Sequence, residues 1–357
     1  MNGRRVFALV LALALLSGCS WMDGSYVSVT PHQVGLGQTG ENTVRSVQNY
    51  TELRGALIGM IDSGTEEALF SLAEYPREEV PEDLQRAVAY VQGIYPVGAY
   101  AVESIDYNFG TGLGASALSV DITYRRSRAQ IAGIRTVRWT SGAKKEVEDA
   151  LNQLTDTLVL QIAGYQETDF SAMILDYARR NPDRVMEVPG VSVRTFPDQG
   201  ETRVVELSFH YHTDREELRA MREQVQPVFS SAALYVSGDA GEWTKFSQLY
   251  TFLMERLEYT IDATVTPAYS LLCQGVGDSL AFSQVYAAMC SRIGLEARLV
   301  SGKRGGDLWW WNMVRIDGSW YHLDLLAGKQ FAPLKDEAMA DYEWDRTAYP
   351  AAPAPGE

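Results

Sequence analysis

The chain of 357 residues has little cysteine and little histidine, three of the first and four of the second. Three cysteines rule out a disulfide-stapled scaffold. Four scattered histidines (His32, His210, His212 and His322) leave little material for a metal centre, so neither a metal nor a cofactor is expected. Positive charge is also short. The 31 Lys and Arg face 46 Asp and Glu, for a net charge of −15 and a pI near 4.8. A surface this acidic is not built to wrap nucleic-acid phosphates, so no nucleic-acid partner is expected. Long apolar runs are missing too: none reaches the ~20 residues that a membrane-spanning helix needs. What remains is ordinary for a folded globular chain, 46% hydrophobic and 22% charged, and long enough for two or three domains.

The N-terminus carries a short positive segment (Arg4, Arg5), an apolar run from Val6 to Leu16, and then Leu16-Ser17-Gly18-Cys19-Ser20. This order resembles the signal peptide and lipobox of bacterial lipoproteins, in which the cysteine becomes the lipidated first residue. The resemblance implies a signal over 1–18, lipid attachment at Cys19, and a protein anchored to the cell membrane on its extracytoplasmic face rather than spanning it. Residues 19–46 are rich in Gly, Ser, Thr and Gln and read as a flexible tether. The end of the chain, 336–357, closes on Pro-Ala-Ala-Pro-Ala-Pro and reads as disordered.

The middle of the chain reads as two copies of one α+β unit, 47–140 and 141–235. In the first, helical spacing over 50–61 precedes a strand-like run at 68–75. A helix over 82–91 follows, with Pro81 suited to its start, and then two alternating segments at 99–109 and 115–125. In the second, a helix after Ala143 precedes a strand at 157–165, a helix at 170–180 that stops before Pro182, and strands at 191–196 and 202–211. The warrant is the order of elements, helix, strand, helix, strand, strand, because residue identity between the copies is poor. His210 and His212 would share one strand face as exposed residues, with no third ligand nearby.

The C-terminal third, 242–335, carries the recognisable pattern. Trp243, Phe246, Tyr250, Leu253 and Leu257 mark an amphipathic helix. A second helix follows with Phe282, Val285, Met289 and Ile293 on its buried face, then three strands, the last two joined by a turn at Asp317-Gly318. Ala268, Tyr269, Leu272 and Gly275 fall in register with A-Y-x-x-L-x-x-G-x-x-C-x-G-Y-A, the core-helix pattern of the bacterial transglutaminase-like family. Trp311 and Asn312 match the end of that family's H-A-W-N block, and Trp320, Tyr321 and Asp324 match its W-Y-x-x-D block. The resemblance implies a papain-like α+β fold. It places the family's nucleophilic cysteine at Ser279, its histidine at Trp309 and its aspartate at Asp324.

Two of these three positions have changed in ways that matter chemically. A cysteine beside a histidine and a helix N-terminus forms a thiolate readily. A serine needs a base, and an indole nitrogen has no lone pair with which to be one. Cys273 and Cys290 stand six residues before and eleven residues after Ser279, neither at the helix start, and Cys290 reads as a buried small apolar residue. A Ser279–His322 pair is the remaining route to catalysis. Trp309 could instead donate its N–H to Asp324, replacing the lost histidine. Trp309, Trp311, Asn312, Trp320 and His322 form a candidate ligand cleft, read either as core or as a stacking platform for sugar rings or peptide side chains.

Three functions follow. The first is a surface-anchored binding or scaffolding protein with a degenerate module, taking a cell-wall peptide, a glycan or an envelope protein. The second is an active transglutaminase- or cysteine-protease-like enzyme with altered residues. The third is an assembly subunit in which the duplicated region works and the C-terminal module is structural.

Overall fold

The computed structural model describes residues 30–31, 44–110 and 116–353. The signal segment, Cys19 and most of the tether lie outside the described residues. Among the described residues no helix is long and apolar enough to cross a membrane.

The architecture is α+β, with three main sheets. The first sheet runs in the order β1-β2-β4-β3, from β1 (Arg45–Ser46), β2 (Glu67–Ser71), β4 (Ala117–Tyr124) and β3 (Val102–Gly110). The second repeats this order with β5 (Arg135–Trp139), β6 (Thr157–Gly164), β8 (Arg203–His210) and β7 (Gly190–Phe196), and adds the pair Thr30–Pro31 at its edge. In each sheet the first of the four repeated strands (β1, β5) is parallel to its partner (β2, β6), and the remaining pairings are antiparallel. The helices match as well: α1 (Tyr50–Ser63) and α2 (Val80–Gly93) in the first, α5 (Thr140–Gln153) and α6 (Phe170–Arg180) in the second. Starts at 45, 50, 67 and 80 recur at 135, 140, 157 and 170, a constant shift of 90.

Sequence reading left 135–139 in the first unit, but this strand hydrogen-bonds to β6 and belongs to the second sheet. The segment read as strand from Ala99 begins instead as a short helix, α3 (Pro96–Ala101), ahead of β3. Pro96 sits at its first turn, and Gly98 lies so close to Val91 that a Cβ would come within 1.9 Å of the carbonyl oxygen. A further short helix, α4 (Arg128–Ala132), starts at a Ser127–Gln130 capping box.

The C-terminal part opens with α7 (Arg215–Tyr235), which sequence reading passed over. Its Leu218, Val225, Phe229 and Ala232 join one core with α8 (Glu242–Met254) and α9 (Ser279–Arg292). Against α9 lies the sheet β13-β12-β11-β14, made of β13 (Ser319–Leu323), β12 (Asp307–Ile316), β11 (Ala297–Arg304) and β14 (Tyr342–Glu343). The β12–β13 turn puts Asp317 and Gly318 at φ 48° and 84°, as the Asp-Gly pair predicts. A short parallel pair, β9 (Glu258–Tyr259) with β10 (Val276–Gly277), brings Tyr259 to the start of α9.

The segment 336–353 is ordered, against the disordered tail expected from its composition. Met339 and Ala352 are buried with Trp311 and Met313, and Tyr342, Trp344 and Tyr349 pack around them. The apolar face of the sheet offers these side chains more burial than solvent does, and that outweighs the weak local propensity of the segment.

Candidate functional site

Ser279 occupies the first position of α9. Asp278 caps the helix by accepting from Ala281 N at 2.8 Å, which fixes where the chain turns into it. Ser279 is 6% exposed, and its Oγ accepts from the backbone N–H of Trp310 at 3.3 Å. One turn on, the hydroxyl of Ser283 donates to Trp310 O at 3.1 Å, and Ser283 O accepts from Asn312 Nδ2 at 2.9 Å. The helix is thus stitched to β12 beyond the end of β13.

Trp309 stands beside this junction. Its Nε1 donates to Asp324 Oδ2 at 2.9 Å, the hydrogen bond anticipated when tryptophan replaces the family's histidine. The same oxygen receives Arg304 Nη1 at 3.1 Å and Tyr342 Oη at 2.7 Å, while Oδ1 receives Leu326 N at 2.9 Å. The Asp324 side chain is 1% exposed, so four donors surround a carboxylate that water hardly reaches. The Trp309 ring lies between Tyr259, at 5.6 Å between centroids, and the Arg304 guanidinium, at 5.2 Å. Burial, and then the Asp324 carboxylate, push the Tyr342 phenol well above its ordinary pKa, keeping it a donor.

His322 belongs to a different network. It is fully buried, and its Nδ1 lies 3.0 Å from Trp311 Nε1. An indole can only donate, so Nδ1 is the acceptor and the proton sits on Nε2, 2.8 Å from Asp336 Oδ1. Trp344 packs edge-on against His322 at 4.7 Å. Asp336 also receives Ala352 N, and its own N–H donates to Ala352 O. This network closes the terminal segment over the sheet. Gly302 makes the closure possible: a Cβ there would meet Glu343 O at 2.1 Å and the Trp311 ring at 2.7 Å.

Of the two readings of the candidate ligand cleft, the structure favours core. Trp311, Asn312 and His322 are 0% exposed, and Trp309 and Trp320 are part of the packing around them. The Ser279–His322 pairing does not occur either, because both ring nitrogens of His322 have other partners. Cys290 is fully buried, and burial pushes its thiol well up. Cys273 is exposed, its thiol also raised by desolvation. His210 and His212 are exposed; His210 lies beside Ser192, and His212 lies past the strand end with Nδ1 3.1 Å from Glu187. Among the described residues no group of three His, Cys, Asp or Glu could hold a metal.

Arg304, Tyr342, Tyr259 and Asp336 complete these networks and were missed from sequence. Arg304 had a faint signal as a polar residue just ahead of an aromatic strand, and Tyr342 had none. Asp336 lay in the segment discounted for its composition.

The transglutaminase-like superfamily profile matches residues 231–325. No curated protein matches the chain. Among solved structures, a TGase is similar at 12% identity over 55% of this chain and 57% of that one, with a TM-score of 0.28. A candidate cysteine protease from Cytophaga hutchinsonii is similar at 13% identity over 43% and 70%, with a TM-score of 0.27. A candidate protease from Parabacteroides distasonis follows at 11% identity over 62% and 48%, with a TM-score of 0.25. The chain thus spans little more than half the length of that TGase. The helix that starts at Ser279, the strand that carries Trp309 and the Asp324 that follows the next strand all lie within the matched residues, and residues 231–325 of this chain are a transglutaminase-like domain.

Proposed function

We propose that this chain is a membrane-anchored extracytoplasmic lipoprotein whose transglutaminase-like domain has lost acyl transfer and serves binding or scaffolding at the cell envelope. The state of Asp324 carries the reading. Acyl transfer needs a nucleophile, a base to take its proton and an acid to orient that base. Asp324 spends its oxygens on Trp309, Arg304, Tyr342 and Leu326. Trp309 has no lone pair to offer Ser279. The partner of Ser279 Oγ is itself a donor, Trp310 N–H, which draws no proton away. Anchoring rests on the charge, apolar run and Cys19 of the N-terminus.

The purified chain is expected to give no Ser279 labelling with a fluorophosphonate probe and no incorporation of a labelled amine into a glutamine-containing protein. Labelling or incorporation that disappears in Ser279→Ala overturns the loss of activity. Growth with an alkyne fatty acid is expected to tag the protein in a bacterial host, with the tag lost in Cys19→Ala; an untagged wild type overturns the anchor.

A further inference from the structure

The helix-side face of β12 differs from the sealed face. A cavity of about 550 Å³ lies between α6 of the second repeat and the transglutaminase-like domain, walled by α9, β11 and the segment around Tyr349. This is the size range of sites for small ligands. Leu175, Leu299, Trp310 and Tyr349 give it an apolar lining.

Arg179 of α6 enters this cavity and stacks over the Trp310 ring at 4.4 Å. Its neighbours each have a carboxylate partner: Arg180 pairs with Asp176, Arg292 with Asp183, and Arg298 with Glu296, which Arg315 shares. Arg179 has no carboxylate partner among the described residues. Burial lowers the pKa of its guanidinium, with Tyr349 opposing. Arg179 is thus the cation inside the cavity that lacks a carboxylate, and a carboxylate on a ligand would supply it.

The second observation concerns the edge of β11. Past its pairing with β14 at Lys303 and Arg304, the strand has no further strand partner on that side among the described residues. Ser301 N points to the open edge, donating to Tyr349 Oη at 3.3 Å. Backbone alternation turns the N–H and C=O of Leu299 and Ala297 the same way, into the cavity. An apolar trough, a row of free strand-edge groups and one unpaired guanidinium meet in one place.

We propose that this groove binds a short extended peptide, which adds to the edge of β11 at Ala297 and Leu299 and places a carboxylate on the Arg179 fork. Strand addition supplies main-chain hydrogen bonds, and the bidentate guanidinium–carboxylate pair sets the register. The site is distinct from the Ser279–Trp309–Asp324 junction and does not depend on whether that junction is catalytic.

The test is an array of N-acetylated tetrapeptides in matched C-terminal acid and amide forms, probed with the full chain. Binding is expected in the acid array, and in the amide array only for sequences carrying Asp or Glu. Arg179→Gln should weaken the best peptides at least tenfold. Leu299→Pro should do the same by removing an edge N–H while leaving the ladder to β12, which uses the alternate residues, in place. Circular dichroism and the denaturation midpoint of both variants confirm folding. Binding indifferent to the carboxylate, binding undiminished in Arg179→Gln, no binding in either array, or a Trp310-dependent fluorescence response to inorganic phosphate without peptide binding would each overturn the proposal.

Discussion

Three consecutive tryptophans on one strand meet two different environments. Trp309 and Trp311 face the terminal segment, and each indole N–H is spent on a buried acceptor, Asp324 or His322. Trp310 faces α6, and its ring is the floor under an arginine with no counter-ion. On the first face the buried Asp324 and His322 are fully engaged, and the groups that chemistry would need are bound to one another. On the second, a charge and a strand edge are left unmet. Buried groups that are satisfied stabilise a fold but cannot act on anything else, whereas unmet groups cost stability and are free to bind.

The comparison breaks most visibly at Asp324. Asp324→Ala leaves an indole N–H, a guanidinium, a phenol and a backbone N–H facing an empty site. A loss of about 3 kcal/mol is expected from removing one partner of a buried charged network, read as a lower urea midpoint. Ser279→Ala should cost less than about 1 kcal/mol, since it removes one weak hydrogen bond. Equal losses would mean that the Asp324 network is not what holds this face. Next comes Trp311→Phe, which keeps an aromatic ring, of smaller volume, and removes the donor to His322 Nδ1. Leaving that buried acceptor unmet should cost about 1–3 kcal/mol and open 336–353 to limited proteolysis before the rest of the chain.

Much of this was legible in the sequence, and the gaps have physical reasons. The helix Phe170–Arg180 could be placed because it stops before Pro182, and in the structure Asp169 caps its start. Trp309 could be assigned to Asp324 because a family pattern fixed both positions and an indole can do only one thing there. The order of the repeat was readable because each copy alternates its elements, but the strand Arg135–Trp139 was not. It is short, and only pairing with β6 tells which sheet it joins. The terminal segment was misjudged because Met339, Tyr342, Trp344 and Tyr349 have no period. Each docks onto a sheet already formed, so nothing local marks them. Helix α7 was overlooked although Leu218, Val225, Phe229 and Ala232 carry helical spacing. Arg179 had no signal at all, because its character is the absence of a partner from another part of the chain.

The sealed face should also respond to acid. Burial lowers the pKa of His322, with the Asp336 hydrogen bond opposing and Arg346 adding to the effect. The folded value thus lies below the ordinary value of about 6.5. The neutral ring stabilises the fold fully above the unfolded value. As pH falls through it, the unfolded chain takes up a proton that the folded chain refuses, and stability drops until the folded value is passed. Denaturation midpoints between pH 7.5 and 5 should therefore decline in the wild type and decline less in His322→Gln. Parallel curves would remove His322 from the explanation.

The smallest effect is expected on the open face. Arg179→Met removes a half-buried cation with no anion to lose, and it keeps an unbranched apolar stem over Trp310. The cation–π contact contributes about 0.5–1 kcal/mol at a site this exposed, while desolvation of the guanidinium pulls the other way. The two should nearly cancel, leaving the urea midpoint unchanged or slightly raised. That result separates the faces by more than magnitude. A side chain whose removal costs the fold nothing, yet which sits partly out of water in a cavity, is not there for stability. A loss comparable to that of Asp324→Ala would instead make Arg179 a structural member of the domain interface and return the groove to the packing of the fold.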